Sequence, residues 1–227
     1  MFYEPKVKLN RLALSEKDVN IYLNDPVKKG MIVFYGDSGF TRWKSRYDNP
    51  NLEDVILRKD GSQAVVNHGF GTSTAEEQLY YYPRLVRPWE PRALVLKAAG
   101  NDFAAGYSPL DIISLHARIM EYARTDFPGI KFYFCNSGQS LKSRESTASR
   151  KKLAAEYNEL VADYCAKHED VTLVDLFNVP EKYKDPSKVG DPEYIREELY
   201  VEDKVHFNAE GYKIYEKIFK EALADIL

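Results

Sequence analysis

Residues 31–43 read MIVFYGDSGFTRW, and their reading decides the architecture of the whole chain. Five apolar residues run directly into Gly36-Asp37-Ser38-Gly39. A short continuous apolar run, rich in β-branched and aromatic residues, suits a strand covered on both faces, as in a parallel sheet. Four other stretches repeat the pattern: QAVVN (63–67), RALVLKAAG (92–100), IKFYFCN (130–136) and VTLVD (171–175). Helical spacing fills the gaps between them. Residues 73–86 open with Ser73 or Thr74 followed by Glu76 and Glu77, the signature of a capping box. Residues 108–129 place Ser108 as an N-cap, Pro109 at the first helical position and Pro128-Gly129 beyond the end. Segments 147–168 and 208–227 carry apolar residues three and four apart, and Leu12 to Leu23 predicts a further helix. Strand and helix in alternation define an α/β layered domain with helices on both sheet faces. The expectation is one domain spanning residues 1–227.

Composition narrows the function. With 227 residues and 44% apolar content, the chain can fill one large core. Thirty-two basic against 35 acidic residues leave a net charge of −3, so no basic field is available for wrapping nucleic acid. Cys135 and Cys165 read as free thiols, one in a strand and one in a helix, rather than a disulfide or a metal pair. No apolar run approaches the roughly 18 residues that a membrane span needs. The first residues, MFYEPKVKLNRLALSEKD, lack the apolar core of a signal peptide, so a cytoplasmic protein is expected. The sequence carries no signal for a partner protein or an oligomeric state.

Parallel sheets bind ligands at the C-terminal ends of their strands. The residues that follow each predicted strand are therefore the ones to weigh, and Ser38 comes first. With a helix expected from Thr41 onward, Ser38 is ordinarily a turn residue or an N-cap. It becomes a nucleophile only where a base takes its proton. The chain has four histidines. His116 lies within a helical stretch and His168 ends one beside Glu169 and Asp170; both positions have ordinary explanations. His68 follows the second strand and is a minor rival. His206, in EDKVHFNAEGY, has Asp203 three positions earlier. A carboxylate there can hold one ring nitrogen and leave the other to act as base. Donors for an oxyanion come from the turn NHGFGTST (67–74) and from Asn101 in AAGND. Taken singly, these are a turn that needs glycine dihedrals and a turn asparagine. Four such features on one edge of one sheet point to acyl transfer.

Gly36-Asp37-Ser38, Gly100-Asn101-Asp102 and Asp203-Lys204-Val205-His206, in that order, resemble three of the sequence blocks of the SGNH branch of GDSL-type hydrolases, a family of esterases and lipases. The likeness runs from about Lys29 to the last residue. It implies a flavodoxin-like, three-layer α/β/α fold with a five-stranded parallel sheet. It further implies Ser38 as nucleophile, His206 as general base and then acid, Asp203 as orienting carboxylate, and no metal or organic cofactor. Asn101 and the backbone N–H of Ser38 would hold the oxyanion. Two positions depart from the family. Gly39 stands where the family name has leucine. Thr72, five residues after Asn67, replaces the glycine whose N–H completes the oxyanion site, with Gly71 as the fallback donor. A β-branched residue has fewer dihedrals open to it than glycine.

The expected substrate is a small soluble ester, with an acylated sugar among the candidates, because no apolar lid helix suited to an oil interface is evident. Phe40 and Trp43 are candidates to stack on a sugar face, with core packing the alternative. The basic stretch SGQSLKSRESTASRKK (137–152) could meet an anionic acyl or phosphate group, although a solvated helix start is its ordinary explanation. The rival is a catalytically weak carbohydrate-binding or scaffold protein that keeps the fold, and Thr72 is its main support.

Overall fold

The computed structural model describes residues 12–188 and 194–227. Strands β1 (Ile32–Gly36), β2 (Val65–Asn67), β3 (Ala93–Lys97), β4 (Lys131–Cys135) and β5 (Val171–Val174) form one parallel sheet in the order β2-β1-β3-β4-β5. Each lies inside the stretch predicted for it. Ile32 is paired with Val65 on one side and Ala93 on the other. The chain leaves β1 toward β2 and returns on the opposite side as β3. That reversal opens a crevice beyond the ends of β1 and β3, where doubly wound sheets bind ligands.

The helices in chain order are α1 (Leu12–Tyr22), α2 (Ser38–Thr41), α3 (Leu52–Val55), α4 (Ala75–Leu85), α5 (Gly100–Ala105), α6 (Pro109–Asp126), α7 (Leu141–Arg144), α8 (Ala148–Ala166) and α9 (Ala209–Ala222). Alternate strand residues point to opposite faces, so the inner strands are apolar on both faces, apart from Lys97 at the end of β3 and the exposed Lys131 at the start of β4. Val33, Tyr35, Leu94 and Phe132 face a core completed by Tyr81 of α4, Ile119 of α6 and Tyr157 of α8. Ile32, Phe34, Val95 and Tyr133 face a second core with Trp43, Leu52 and Phe219 of α9. Truncating a fully buried aromatic such as Phe34 to alanine costs about 3–5 kcal/mol. At the sheet edge β5 buries Val171 and Val174 only, and Leu173 is exposed.

Capping chemistry sets the helix starts. Thr74, rather than Ser73, caps α4 in a reciprocal box with Glu77, and Ser108 caps α6 with Pro109 at its first position. The helix expected from Thr41 onward instead begins at Ser38, because the Asp37 side chain accepts the Gly39 N–H at 2.9 Å and caps it. Starting the helix three residues early turns Phe40 and Trp43 inward. Both are fully buried, Trp43 stacked on Tyr212 and Phe40 set edge-on to Phe34, so neither is free to meet a sugar. Cys135 is buried and Cys165 half-buried, both as free thiols. The irregular segment 178–204 holds short 3₁₀ turns at Glu181–Tyr183 and Glu197–Leu199; residues 189–193 of it lie outside the described residues. No helix among the described residues is long and apolar enough to cross a membrane.

Candidate active site

Ser38 is the first residue of α2, so its N–H has no intrahelical acceptor. His206 precedes α9 on a turn that Asp203 organises. One carboxylate oxygen of Asp203 accepts the backbone N–H groups of Val205 and His206, both at 2.9 Å. The other lies 2.7 Å from His206 Nδ1. With Nδ1–H donating to Asp203, Nε2 is left as an acceptor, and it sits 2.8 Å from Ser38 Oγ. Residues 168 positions apart in sequence thus meet at hydrogen-bond distance. The arrangement can pass the Ser38 proton to His206. Burial holds the His206 imidazole below its ordinary value, more than its hydrogen bond to Asp203 raises it. Burial raises the Asp203 carboxyl, but the hydrogen bonds from His206 and Val205 outweigh it and hold the group below its usual range.

The other histidines stand elsewhere. His68 is buried against Tyr22 and Trp89, hydrogen-bonded to the Leu85 carbonyl, and burial lowers its pKa to about 4. His116 is fully buried with Nε2 on Gln78, and burial lowers it to about 3. His168 stacks on Tyr164 at the end of α8.

Two turns flank Ser38. In one, Asn101 of α5 donates from Nδ2 to the Ser73 carbonyl at 3.1 Å, which orients the amide and leaves its second N–H free. In the other, Thr72 adopts φ +63°, a left-handed conformation rare for a β-branched residue. Its N–H has no partner among the described residues. The Gly71 N–H donates to Asp18 at 3.0 Å, so the fallback donor is already committed. Thr72 is exposed and does not line the cavity that holds Ser38 and Asn101. Asp102 ties the two turns together: it is fully buried and accepts the N–H groups of Ala75 and Ala99. Burial pushes its carboxyl up to about 7.

Sequence reasoning missed Lys97 and Arg42. Lys97 ends β3, and its ammonium donates to both oxygens of Asp37 at 2.8 and 2.9 Å in a buried ion pair. A Cβ at Gly39 would lie 3.0 Å from Lys97 Nζ and 3.1 Å from Asp37 Oδ1. The glycine in place of leucine therefore goes with the lysine beside it. The signal was available: Lys97 is the one charge in an otherwise apolar run, LVLKAAG. Arg42, the C-cap of α2, reaches Asp203 at 3.4 Å and links the Ser38 helix to the His206 turn.

A cavity of about 700 Å³ opens onto Ser38, Asn101 and His206 and extends to α7 and α8. Among the described residues, no group of three or more His, Cys, Asp or Glu side chains is placed to hold a metal ion.

The model of the GDSL-like Lipase/Acylhydrolase family matches residues 34–214, and the chain belongs to that family. Solved structures share the fold. A GDSL-like lipase from Bacteroides thetaiotaomicron is 22% identical with a TM-score of 0.67, over 95% of this chain and 98% of that one. TesA is 18% identical with a TM-score of 0.63, over 87% and 99%. An acetyl xylan esterase is 15% identical with a TM-score of 0.67, over 85% and 99%. No curated protein sequence matches the chain.

Proposed function

We propose that the protein is an esterase that hydrolyses small soluble O-acyl esters through a serine acyl-enzyme. The observation that carries this is the chain of contacts from Ser38 through His206 to Asp203, at 2.8 and 2.7 Å. Ser38 Oγ attacks the ester carbonyl while His206 Nε2 takes its proton. The Ser38 N–H and the Asn101 amide hold the oxyanion, each such donor being worth about 10²–10³ in rate, and the Thr72 N–H would join them only where the 67–74 turn brings it into the cavity. His206 then protonates the leaving alcohol, and water, deprotonated by the same nitrogen, releases the acyl group from Ser38. Membership of an acylhydrolase family supports this reading. Against the scaffold alternative, Thr72 takes the backbone conformation a glycine would take and its N–H has no partner among the described residues.

The acetyl xylan esterase neighbour makes sugar acetates the first natural esters to assay. Ser38→Ala should abolish hydrolysis of p-nitrophenyl acetate and labelling by a fluorophosphonate probe. Labelling that survives the substitution would overturn the assignment of Ser38. A series of nitrophenyl esters should give its highest kcat/KM at short acyl chains; a maximum at long chains would reject the small-ester reading.

A further inference from the structure

The cavity beyond Ser38 has a charge opposite to that of the chain. The whole protein carries −3, yet Lys97, Lys142, Arg150 and Lys151 line the cavity against a single carboxylate among the described residues, Asp37, which Lys97 already neutralises. Lys142, Arg150 and Lys151 make no ion pair and no side-chain hydrogen bond among the described residues. The nearby Glu145 faces Lys204 instead, at 4.0 Å, and does not line the cavity.

The start of α8 shows that two of these cations are not explained by the helix that carries them. Helix N-termini favour acidic side chains; α4, α6 and α9 each have at least one in the first turn, while α1, α2 and α7 have none. The first turn of α8 has none and instead reads Ala148-Ser149-Arg150-Lys151. Cations there oppose the helix dipole, so helix stability does not account for them. The cavity-facing stripe of α8 continues through Ala154 and Ala155 to Asn158. The alanines leave room, while the cations stand at the end of the stripe. A volume of about 700 Å³ also exceeds what a bare acetyl ester fills.

We propose that the substrate is an ester bearing an anionic group, a carboxylate, sulfate or phosphate, which Lys142, Arg150 and Lys151 hold at the α8 end of the cavity. This rests on the esterase reading, and it assigns the basic stretch 137–152 a role in substrate choice.

The test compares near-isosteric ester pairs at low salt. On the acyl side, the mono-p-nitrophenyl ester of succinate is set against p-nitrophenyl butyrate. On the alcohol side, 4-acetoxybenzenesulfonate is set against the neutral 4-acetoxybenzenesulfonamide, which matches its size and its electron withdrawal. At least one anionic member should show about tenfold higher kcat/KM than its neutral partner, and the favoured pair tells which side of the ester faces α8. That preference should shrink as salt shortens the Debye length to about 3 Å near 1 M. It should reverse in the triple variant Lys142→Glu, Arg150→Glu, Lys151→Glu. Equal or lower efficiency of both anionic esters in the native protein would overturn the proposal while leaving the esterase reading intact. If no ester is hydrolysed, the esterase reading fails, and calorimetric titration with monoethyl succinate decides the cationic site alone. Binding that the triple variant loses supports the site; no binding to the native protein overturns it.

Discussion

Ser38 and His206 meet across 2.8 Å, but the ground beneath each is different. On the Ser38 side, Asp37 and Lys97 pair with side chains only 7% and 10% exposed, wedged between the ends of β1 and β3. On the His206 side, Asp203 is 37% exposed on a turn and is held by two backbone N–H groups and by Arg42 at 3.4 Å. Charges in a dry interior depend on their partner, and removing one member of such a pair costs about 3–5 kcal/mol. An exposed pair is worth about 0–1 kcal/mol. Ser38 is thus placed by the fold, and His206 by hydrogen bonds local to its turn. On the proposed mechanism, substitutions on the His206 side should change rate alone, while those on the Ser38 side should change rate and stability together.

Asp203→Asn gives the largest effect expected from this division. The amide can donate to Nδ1 and so favour the wrong tautomer, which should lower kcat by about 10³–10⁴. Thermal unfolding should stay unchanged, because an asparagine oxygen still accepts the two turn N–H groups. A fall in the melting temperature comparable to that of a core substitution would break the comparison. Lys97→Met comes next. It leaves Asp37 buried beside Ser38 without its cation and should destabilise by about 3 kcal/mol in urea unfolding, with a loss of rate. Adding Asp37→Asn removes the stranded charge while keeping a cap for α2, and should recover more than half of that stability. If the double variant is no better than the single one, the ion pair is not what places Ser38.

A pH profile separates the two sides more finely. His206 must be neutral to accept the Ser38 proton, and burial holds its pKa below 6.5. kcat/KM should therefore be level at neutral pH and fall, toward tenfold per pH unit, only once pH drops below that lowered value. The Arg42 guanidinium also lowers the imidazole. Removing it with Arg42→Gln favours the imidazolium, so the acid limb should move to higher pH. An unmoved or opposite limb would show that Arg42 does not act on His206 through its charge.

The strands were legible because burial on both faces leaves an unbroken apolar run, and the starts of α4 and α6 because Thr74 and Ser108 carry their partners three residues on. The pairing of Asp203 with His206 is local and could be read directly. The approach of His206 to Ser38 was readable only as an expectation drawn from strand order. Lys97 was not legible as a partner for Asp37, because the two meet through register between neighbouring strands, where Gly36 lies opposite Lys97. Sugar stacking and core packing both stayed open for Phe40 and Trp43 for a related reason. Which way an aromatic faces after a turn depends on where the helix begins, and Asp37 moved that start by three residues.

The two turns that flank Ser38 form a third region, held by neither a buried ion pair nor side-chain hydrogen bonds alone. Thr72 and Ala99 both have positive φ, at 63° and 117°, and Lys204 between Asp203 and His206 has 57°. Non-glycine residues in such conformations store strain, and three of the five in the described chain border this site. Thr72→Gly is the mildest test of what that strain does. The left-handed conformation costs a side-chain-bearing residue about 1–2 kcal/mol, and glycine returns about 0.5–1 kcal/mol of this through its freer unfolded chain. The net gain should be about 0.5 kcal/mol in urea unfolding. Because glycine keeps the N–H, kcat for a nitrophenyl acetate should stay within about twofold. A tenfold fall would mean that the threonine side chain itself is needed at the turn, beyond the amide it shares with glycine.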